Sequence, residues 1–280
     1  MGWKWLVETY RLIGEDVSRS PSPAMMNAAF RAVGIDAVYE AVNVGRAEFS
    51  DRFLALRAET SGVNLTIPFK SDVIPLLDAL DEVSARIGAV NVVARTGQRY
   101  KGYNTDVNGI TAPLRERGMG RVRKALLLGA GGAARAFCEA MSQLGCAEIT
   151  VAVRDAAKGE RFASEMAMIF GGIRFSVVVF DRVGGTEADL VFNATPIGAG
   201  DPLPEALKRV IYGHATVFDA VYRPMKTELL RTAEEKGSPI ICGYEMLLNQ
   251  GTMAFELWTG KPAPKAVMES ALRTSLEGAR

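Results

Sequence analysis

The chain has 280 residues, more than a usual single domain, so its length predicts two domains with separate hydrophobic cores. Its 33 basic and 32 acidic residues give a formal net charge of +1, and the basic residues are spread out, so the charge gives no sign of a nucleic-acid-binding surface. No apolar run approaches the roughly 20 residues of a membrane span, and the opening MGWKWLVETY lacks a signal-peptide core. We therefore expect a cytoplasmic protein without a nucleic-acid or membrane partner.

The cysteines and the histidine exclude ordinary zinc chemistry. Cys138, Cys146 and Cys242 are scattered along the chain, and His214 is the one histidine. This set cannot supply the ligands of an ordinary zinc site, so we expect no metal. Proton transfer must then come from a carboxylate, a lysine or a tyrosine.

Strands and helices alternate over the first part of the chain. The apolar pattern predicts strands at 9–14, 37–44, 63–67, 90–94 and 99–103, and helices at 24–33, at 49–59 and from Ser71 onward. Residues 1 to about 106 therefore form an α/β unit of their own.

A predicted helix at 106–117 and the linker GMGR lead into a second α/β half. Strands are predicted at 125–128, 148–153, 174–180, 189–193, 216–221 and 239–242, with helices after Gly132, at 156–170 and at 226–236. A last helical block starts at Tyr244. This alternation predicts a Rossmann-type, doubly wound parallel sheet.

The segment KALLLGAGGAARA carries the clearest local signal. Gly129, Gly131 and Ala134 fill the pattern G-x-G-x-x-G/A between a buried strand and a helix. The free N–H groups and the positive dipole end of that helix favour an anion. We therefore predict a dinucleotide site, and the residues expected to contact the cofactor here are Gly129, Ala130, Gly131, Gly132 and Ala133.

Several polar residues of the first half have both a structural and a functional interpretation. Ser20 and Ser22 either cap the helix that follows or hold a substrate carboxylate. Asn91 lies in the apolar run GAVNVV, where an unpaired amide costs about 1–3 kcal/mol. Asp106 fits a helix N-cap, and Lys70 beyond a buried strand fits a solvated lysine as well as a catalytic one.

Eight segments in order extend these observations to nearly the whole chain. They are SRSPSPAMMN (18–27), NLTIPFK (64–70), GAVN (88–91), GYNTD (102–106), GAGGAARA (129–136), NATPIG (193–198), FDAVYRP (218–224) and GYEMLLNQG (243–251). With them, the sequence resembles the shikimate dehydrogenase family, including its quinate/shikimate relatives.

The resemblance implies a fold, a division of the chain and site residues. It implies an N-terminal α/β substrate-binding domain of residues 1–106 and 243–280, and an NAD(P)-binding Rossmann domain of residues 107–242. Lys70 and Asp106 match the family's catalytic pair, and Ser20 and Ser22 match the serines that bind the substrate carboxylate. Further matches to substrate-binding residues are Thr66, Asn91, Tyr222 and Gln250, and Thr195 and Gly243 match residues beside the cofactor.

The implied reaction is reversible hydride transfer between a nicotinamide and a ring carbon of shikimate. Lys70 as an ammonium group donates a proton during reduction, and its neutral form accepts one during oxidation. Asp106 orients the lysine, but its negative charge favours the protonated lysine. The sequence therefore leaves open which of the two residues transfers the proton.

The end of the second Rossmann strand bears on the choice of cofactor. Arg154 and Lys158 suit the 2′-phosphate of NADP, whereas Asp155 repels it and resembles the acid that NAD enzymes use on the ribose. We expect NADP, with NAD as the alternative.

Four positions depart from the family's usual pattern. They are Asp16, Arg19, Val92 and Ala199, where proline, histidine, threonine and methionine are usual. The departures leave three hypotheses: a biosynthetic shikimate dehydrogenase, a paralogue acting on quinate or a related ring carboxylate, and a binding protein without turnover. In each, the expected partner is a small carboxylate, and the protein is a monomer or a homodimer.

Overall fold

The computed structural model describes residues 7–200, 202–211 and 213–278. The Cα packing divides the chain into two compact units, Met1–Thr105 with Gln250–Arg280, and Asp106–Asn249. The boundary near the C-terminus thus falls at Gln250, inside a helix, where the sequence-based division places it at residue 243. Residues 1–6 and 279–280 of the expected substrate-binding domain lie outside the described residues.

Twelve strands and ten α-helices form within the described residues. The strands are β1 (Glu8–Gly14), β2 (Ala37–Asn43), β3 (Gly62–Leu65), β4 (Ala79–Leu80), β5 (Val92–Thr96), β6 (Arg99–Tyr103), β7 (Lys124–Leu128), β8 (Glu148–Val153), β9 (Arg174–Val179), β10 (Leu190–Asn193), β11 (Thr216–Asp219) and β12 (Ile240–Ile241). The helices are α1 (Ser22–Ala32), α2 (Phe49–Ala58), α3 (Glu82–Ile87), α4 (Asp106–Glu116), α5 (Gly132–Gln143), α6 (Ala156–Ile169), α7 (Glu205–Lys208), α8 (Glu228–Glu235), α9 (Gly243–Thr259) and α10 (Lys265–Glu277).

The first unit is built on a mixed six-stranded sheet with the order β2-β1-β3-β5-β6-β4. Strand β1 pairs in parallel with β2 and β3, whereas β5 is antiparallel to both β3 and β6. The carboxyl ends of β1, β3 and β6 and the start of β5 therefore lie at one edge, which we call the polar edge of the first sheet. Strand topology thus gathers at this edge loops that are far apart in sequence.

Aromatic rings pack against this sheet. Phe49 stacks on Phe69 with ring centroids 4.0 Å apart. Tyr10 stacks on Phe30 at 4.9 Å and contacts Trp258 at the same distance. These buried rings fix the strands that lead to the polar edge, since large aromatic side chains contribute much of the apolar area in a core.

Gly62 lets Trp258 of α9 lie directly on the first sheet. A Cβ atom at position 62 would lie 2.3 Å from the indole Nε1, which no real side chain tolerates. The indole N–H donates to the carbonyl oxygen of Val93 at 3.1 Å. The ring is therefore buried with its polar atom satisfied, and it anchors α9 to β5.

The second unit contains a parallel six-stranded sheet with the order β9-β8-β7-β10-β11-β12. This is the 3-2-1-4-5-6 order of the Rossmann fold. Successive strands are added outward in opposite directions from β7 and from β10, so the topological switch point lies between these two strands. Phe137 of α5 stacks on Phe192 of β10 at 4.6 Å, and Phe192 meets Phe218 of β11 edge to face. The predicted two-domain α/β fold class, with a Rossmann sheet in the second half, is confirmed.

Some predicted boundaries are wrong. Strand β3 ends at Leu65 rather than at residue 67, because the N–H of Phe69 bonds to Thr66 O and closes a turn there. Strand β5 begins at Val92, so Asn91 precedes the strand instead of lying inside it. Strand β11 likewise ends at Asp219 rather than at residue 221.

The helix predicted from Ser71 is a series of turns that ends in a 3₁₀ helix, Ile74–Leu76. Pro75 lacks the N–H that an α-helix would use, and the neighbouring N–H groups make the tighter bonds of a 3₁₀ helix. Strand β4 and helices α3 and α7 are not predicted, since they contain only two, six and four residues. Within the described residues, every helix is too short or too polar to cross a membrane.

Candidate active site

The glycine turn after β7 has the geometry of a phosphate cradle. Gly129 has φ +101°, and a Cβ atom there would lie 2.7 Å from Cγ2 of Thr195, so both backbone conformation and space require glycine. A Cβ atom at Gly131, in contrast, would meet no atom within 4 Å. That open space borders the N-terminus of α5, where Gly131 is the N-cap and no side chain caps the free N–H groups. The turn therefore fits a bound pyrophosphate.

The predicted cofactor residues after β8 lie on the strand next to the glycine turn. Arg154, Asp155 and Lys158 are all exposed. Asp155 is the N-cap of α6, and its carboxylate accepts a hydrogen bond from the N–H of Lys158 at 3.2 Å. One acceptor of Asp155 is thus used by the helix, while two cationic side chains flank it.

The turn after β10 is held by the amide of Asn193. Asn193 Oδ1 accepts from the N–H of Thr195 at 3.0 Å and from its hydroxyl at 2.6 Å. Asn193 Nδ2 donates to Ile197 O at 3.1 Å, and Thr195 Oγ1 accepts from Ile197 N at 3.2 Å. Thr195 is therefore placed beside Gly129 by bonds within its own turn.

Gly243, at the start of α9, packs on the turn that follows β11. A Cβ atom at Gly243 would lie 2.5 Å from Val221 O and 2.6 Å from Ala220 O. Glycine is therefore required there for steric reasons. The same packing holds the backbone directly before Tyr222, the predicted substrate-binding tyrosine.

Asp219, which the sequence interpretation does not single out, ends β11 and is fully buried. It accepts hydrogen bonds from Asn193 Nδ2 at 2.8 Å, from Val221 N at 3.0 Å and from Thr227 Oγ1 at 2.6 Å. Burial raises its pKa from 3.8 to about 6, although these three hydrogen bonds oppose the rise. The signal in the sequence is an acid at the end of the apolar run TVF, the same kind of signal that singles out Asn91.

In the first unit, Ser20 and Ser22 lie at the N-terminus of α1. Ser20 Oγ accepts from the N–H of Ser22 at 3.2 Å, and Ser22 is buried. Pro21 is the N-cap and Pro23 follows Ser22, so two residues of this turn have no N–H to offer an anion. The hydroxyl groups of the two serines are therefore the main donors that the turn can present, together with the positive end of the helix dipole.

Asn91 connects three segments at the polar edge. Its Oδ1 accepts from the N–H of Thr105 at 2.7 Å, and its Nδ2 donates to Thr105 Oγ1 at 3.0 Å and to Gln250 Oε1 at 3.4 Å. Its backbone carbonyl accepts from Leu65 N and from Asn64 Nδ2. The structure thus brings the predicted residues Asn91 and Gln250 together, with Thr105 as a partner that the sequence interpretation missed.

Lys70 and Thr66 lie in the loop that follows β3. Thr66 N donates to Ile13 O at 3.0 Å, which keeps this loop against the end of β1. Lys70 O accepts from Val90 N at 2.7 Å, one residue before Asn91. The lysine backbone is therefore fixed beside the Asn91 network, and its side chain is half-buried. The Ile67–Pro68 peptide in this loop is cis.

Asp106 is buried and directly follows Thr105, and it is the first residue of α4. Because Thr105 donates its N–H to Asn91 and Asn104 Nδ2 donates to Ala89 O at 2.9 Å, the chain entering Asp106 is fixed by two buried amides. The two buried amides thus hold the last residues of the first unit, Asn104 and Thr105.

The four departures from the family pattern differ in exposure. Asp16 is exposed and accepts from Ser18 Oγ at 3.1 Å, and Arg19 is exposed in the same loop. Ala199 is exposed after the turn of β10, whereas Val92 is fully buried at the start of β5. Three departures therefore alter loop surfaces, and Val92 alters the interior of the first sheet.

Asp219 generates a prediction about stability and pH. Because its pKa is higher in the folded protein than in the unfolded chain, the folded state holds this proton more tightly, and its contribution to stability is lost as pH rises from about 4 to 6. Asp219→Asn cannot titrate. The free energy of unfolding of the native chain relative to Asp219→Asn should therefore fall by about 2 kcal/mol between about pH 4 and pH 7. Urea titrations of both proteins measure this, and a constant difference across that range would contradict it.

Comparison with known proteins supports the family resemblance and the fold. Residues 12–93 match the family model described as shikimate dehydrogenase substrate binding domain, and residues 243–273 match shikimate 5′-dehydrogenase C-terminal domain. Shikimate dehydrogenase (NADP(+)) of Moorella thermoacetica is 39% identical, over 95% of this chain and 92% of that protein.

Two solved structures bear on the chemistry. Shikimate 5-dehydrogenase from Thermus thermophilus, in complex with NADP(H) and shikimate, is 35% identical with a TM-score of 0.85, over 96% of this chain and 100% of that one. Quinate dehydrogenase from Corynebacterium glutamicum, in complex with NAD, is 29% identical with a TM-score of 0.86, over 95% of this chain and 99% of that one. On the identity and coverage of these relatives, the chain belongs to the shikimate dehydrogenase family.

Proposed function

We propose that this protein catalyses the reversible, NADP-dependent reduction of 3-dehydroshikimate to shikimate, a step of aromatic amino acid biosynthesis. The observation that carries the proposal is the polar edge of the first sheet, where Asn91 joins the segments of Thr105 and Gln250 through one buried amide. A polyol acid needs such a set of fixed donors and acceptors. Relatives named shikimate dehydrogenase (NADP(+)) support the same reaction.

The cofactor is NADP, held by the second unit. The backbone from Gly129 to Ala133 binds the pyrophosphate at the N-terminus of α5, where the space in front of Gly131 is open. Arg154 and Lys158 bind the 2′-phosphate, and Asp155 caps α6. NADP supplies the hydride acceptor for oxidation, and its reduced form supplies the hydride for reduction. Thr195 follows β10 and Gly243 follows β12, so both lie at the carboxyl edge of the second sheet, as the glycine turn after β7 does.

The substrate carboxylate binds at the N-terminus of α1. Ser20 and Ser22 present hydroxyl groups there, in a turn where two prolines leave few backbone donors. Thr66, Asn91, Tyr222 and Gln250 contact the carboxylate or the ring hydroxyls.

The chemistry requires one hydride and one proton. The bound cofactor would accept the hydride of the carbinol during oxidation, and the protein must accept the hydroxyl proton as the carbonyl bond forms. Lys70 and Asp106 hold or transfer this proton. A proton at the reacting oxygen stabilises the negative charge that develops there, in oxidation as well as in reduction. Either the lysine transfers the proton and the aspartate orients it, or the aspartate transfers the proton itself.

A second candidate function is the oxidation of quinate with NAD. Asp155 at the end of β8 and the similarity to quinate dehydrogenase of Corynebacterium glutamicum favour it. The altered loop residues Asp16 and Arg19, near the proposed carboxylate site in sequence, favour a different ring acid as well.

One experiment separates these functions. Steady-state oxidation of shikimate and of quinate is measured with NAD and with NADP by absorbance at about 340 nm, where the reduced nicotinamide absorbs. We expect the highest kcat/KM for shikimate with NADP. A tenfold or greater preference for NAD, or for quinate, would establish the second candidate, and no turnover in any of the four combinations would leave a binding protein.

Lys70→Ala tests the assignment of the acid–base pair. We expect kcat to fall by roughly 10²–10⁴, with KM for shikimate changed only several-fold, because the lysine acts on the proton and not on the carboxylate. Lys261→Ala, which removes an exposed lysine of the same unit, is the matched control and should retain native kinetics. A kcat for Lys70→Ala within threefold of the native value would remove Lys70 from the chemistry.

Ser22→Ala tests the carboxylate site. Loss of a hydrogen bond to a charged group costs about 1.5–3 kcal/mol, so KM for shikimate should rise roughly 10- to 100-fold. KM for NADP should stay unchanged. Ser18→Ala is the control, because Ser18 lies in the same loop and its hydroxyl donates to Asp16. Equal KM values for shikimate in the two variants would place the carboxylate elsewhere.

A further inference from the structure

We infer that Asp219 is a positioning residue. Its buried carboxylate fixes the turn after β10 and the turn after β11 against each other, and so sets the places of Thr195 and Tyr222 in the reaction. This role rests on the proposed function, in which the 2′-phosphate binds at the end of β8 and the pyrophosphate at the end of β7. The strand order β8-β7-β10 would then place the nicotinamide half of the cofactor at the turn after β10, and the turn after β11 contacts the substrate through Tyr222.

The carboxylate binds one donor from each of three segments. Asn193 Nδ2 comes from the end of β10, Val221 N from the turn after β11, and Thr227 Oγ1 from the N-terminus of α8. The bond to Val221 N joins a side chain to the backbone two residues on, which directs the chain as it leaves the strand toward Tyr222. A single side chain therefore defines how three segments meet.

The carboxylate also helps to hold the amide of Asn193 in one orientation. A carboxylate only accepts hydrogen bonds, so Nδ2 of Asn193 must face Asp219. The amide oxygen is then left toward Thr195, where it accepts from both the N–H and the hydroxyl. Ile197 O accepts from the same Nδ2 at 3.1 Å, so without the carboxylate the amide keeps this orientation but loses one of the two acceptors that hold it. The position of Thr195 thus depends on Asp219 through one intermediate residue.

Thr227 connects Asp219 to Gly198, at the end of the turn after β10. Its Oγ1 donates to Asp219 and accepts from Leu230 N at 3.3 Å, which caps α8. Gly198 has φ +93°, and a Cβ atom there would lie 3.2 Å from Thr227 Cβ. The turn therefore packs on the threonine that Asp219 holds.

The burial of this carboxylate in its charged form is unfavourable for folding. Within the described residues, no lysine or arginine forms an ion pair with Asp219, and its charge is balanced by hydrogen-bond donors alone. The flanking charges are otherwise engaged, since Lys226 binds Glu234 and Glu228 binds Lys208. The Cys242 thiol is a further titratable group that interacts with it. A buried, unpaired carboxylate adds little to stability, so its acceptor-only chemistry is the property that the site uses.

The test compares binding of a whole cofactor with binding of a part of it. NADP and adenosine 2′,5′-bisphosphate are titrated into the native chain, Asp219→Ala and Asp189→Ala. Asp189 is the matched control, because it is an aspartate of the same sheet that also accepts two backbone N–H groups, from Arg123 and Lys124, but at the opposite edge. For Asp219→Ala we expect NADP affinity to fall about tenfold and kcat with shikimate to fall roughly 10- to 100-fold. Affinity for the bisphosphate, which lacks the nicotinamide half, should not change.

Thr227→Val and Thr227→Ser carry the test if Asp219→Ala does not fold. The valine variant removes the hydroxyl and should reproduce the loss of NADP affinity, and the serine variant should restore it. Native NADP affinity in both Asp219→Ala and Thr227→Val would overturn the inference. Equal losses of affinity for NADP and for the bisphosphate would also overturn it, because they would indicate a general structural role. Absence of shikimate turnover in the native chain would reject the proposed function and leave the binding comparison valid.

Discussion

The structure depends on one constraint, which is that a polar group buried at the end of a strand must be hydrogen-bonded. Asn91 is buried where β5 begins, and an unpaired amide there would cost about 1–3 kcal/mol. Its amide and its carbonyl are paired with Thr105, Gln250, Leu65 and Asn64. Those partners come from separate parts of the chain, so satisfying one amide also brings the candidate substrate residues together.

The second sheet obeys the same constraint with a carboxylate. Asp219 ends β11 and collects donors from the turns around it, as Asn91 does at the first sheet. The difference lies in the chemistry of the group. An amide both donates and accepts, so it can join segments of either kind, whereas a carboxylate requires donors on every side and so binds Asn193 through its NH₂ group.

Much of this arrangement can be predicted from the sequence where a local pattern has one physical interpretation. The turn at Gly129 follows from a buried strand, a glycine pattern and a helix, and in the structure Gly129 has a positive φ that suits this turn. Asn91 is predictable as a polar residue in an apolar run. Strand β4 and helix α3 are not, because elements of two and six residues are too short to show a period. Asp219 shows the same local signal as Asn91. Both residues have partners that are distant in sequence, and only the fold shows that these partners converge.

Asp155 shows how a local bond changes the interpretation of a motif. Judged by residue type alone, an acid at the end of the second Rossmann strand indicates NAD, because its carboxylate binds the ribose hydroxyl and repels a 2′-phosphate. In the structure this carboxylate accepts from Lys158 N and begins α6. The helix dipole there carries partial positive charge, and Arg154 and Lys158 add two full positive charges beside it. One acid at this strand end is therefore accompanied by a helix N-terminus and two cationic residues, a combination that suits the extra phosphate of NADP.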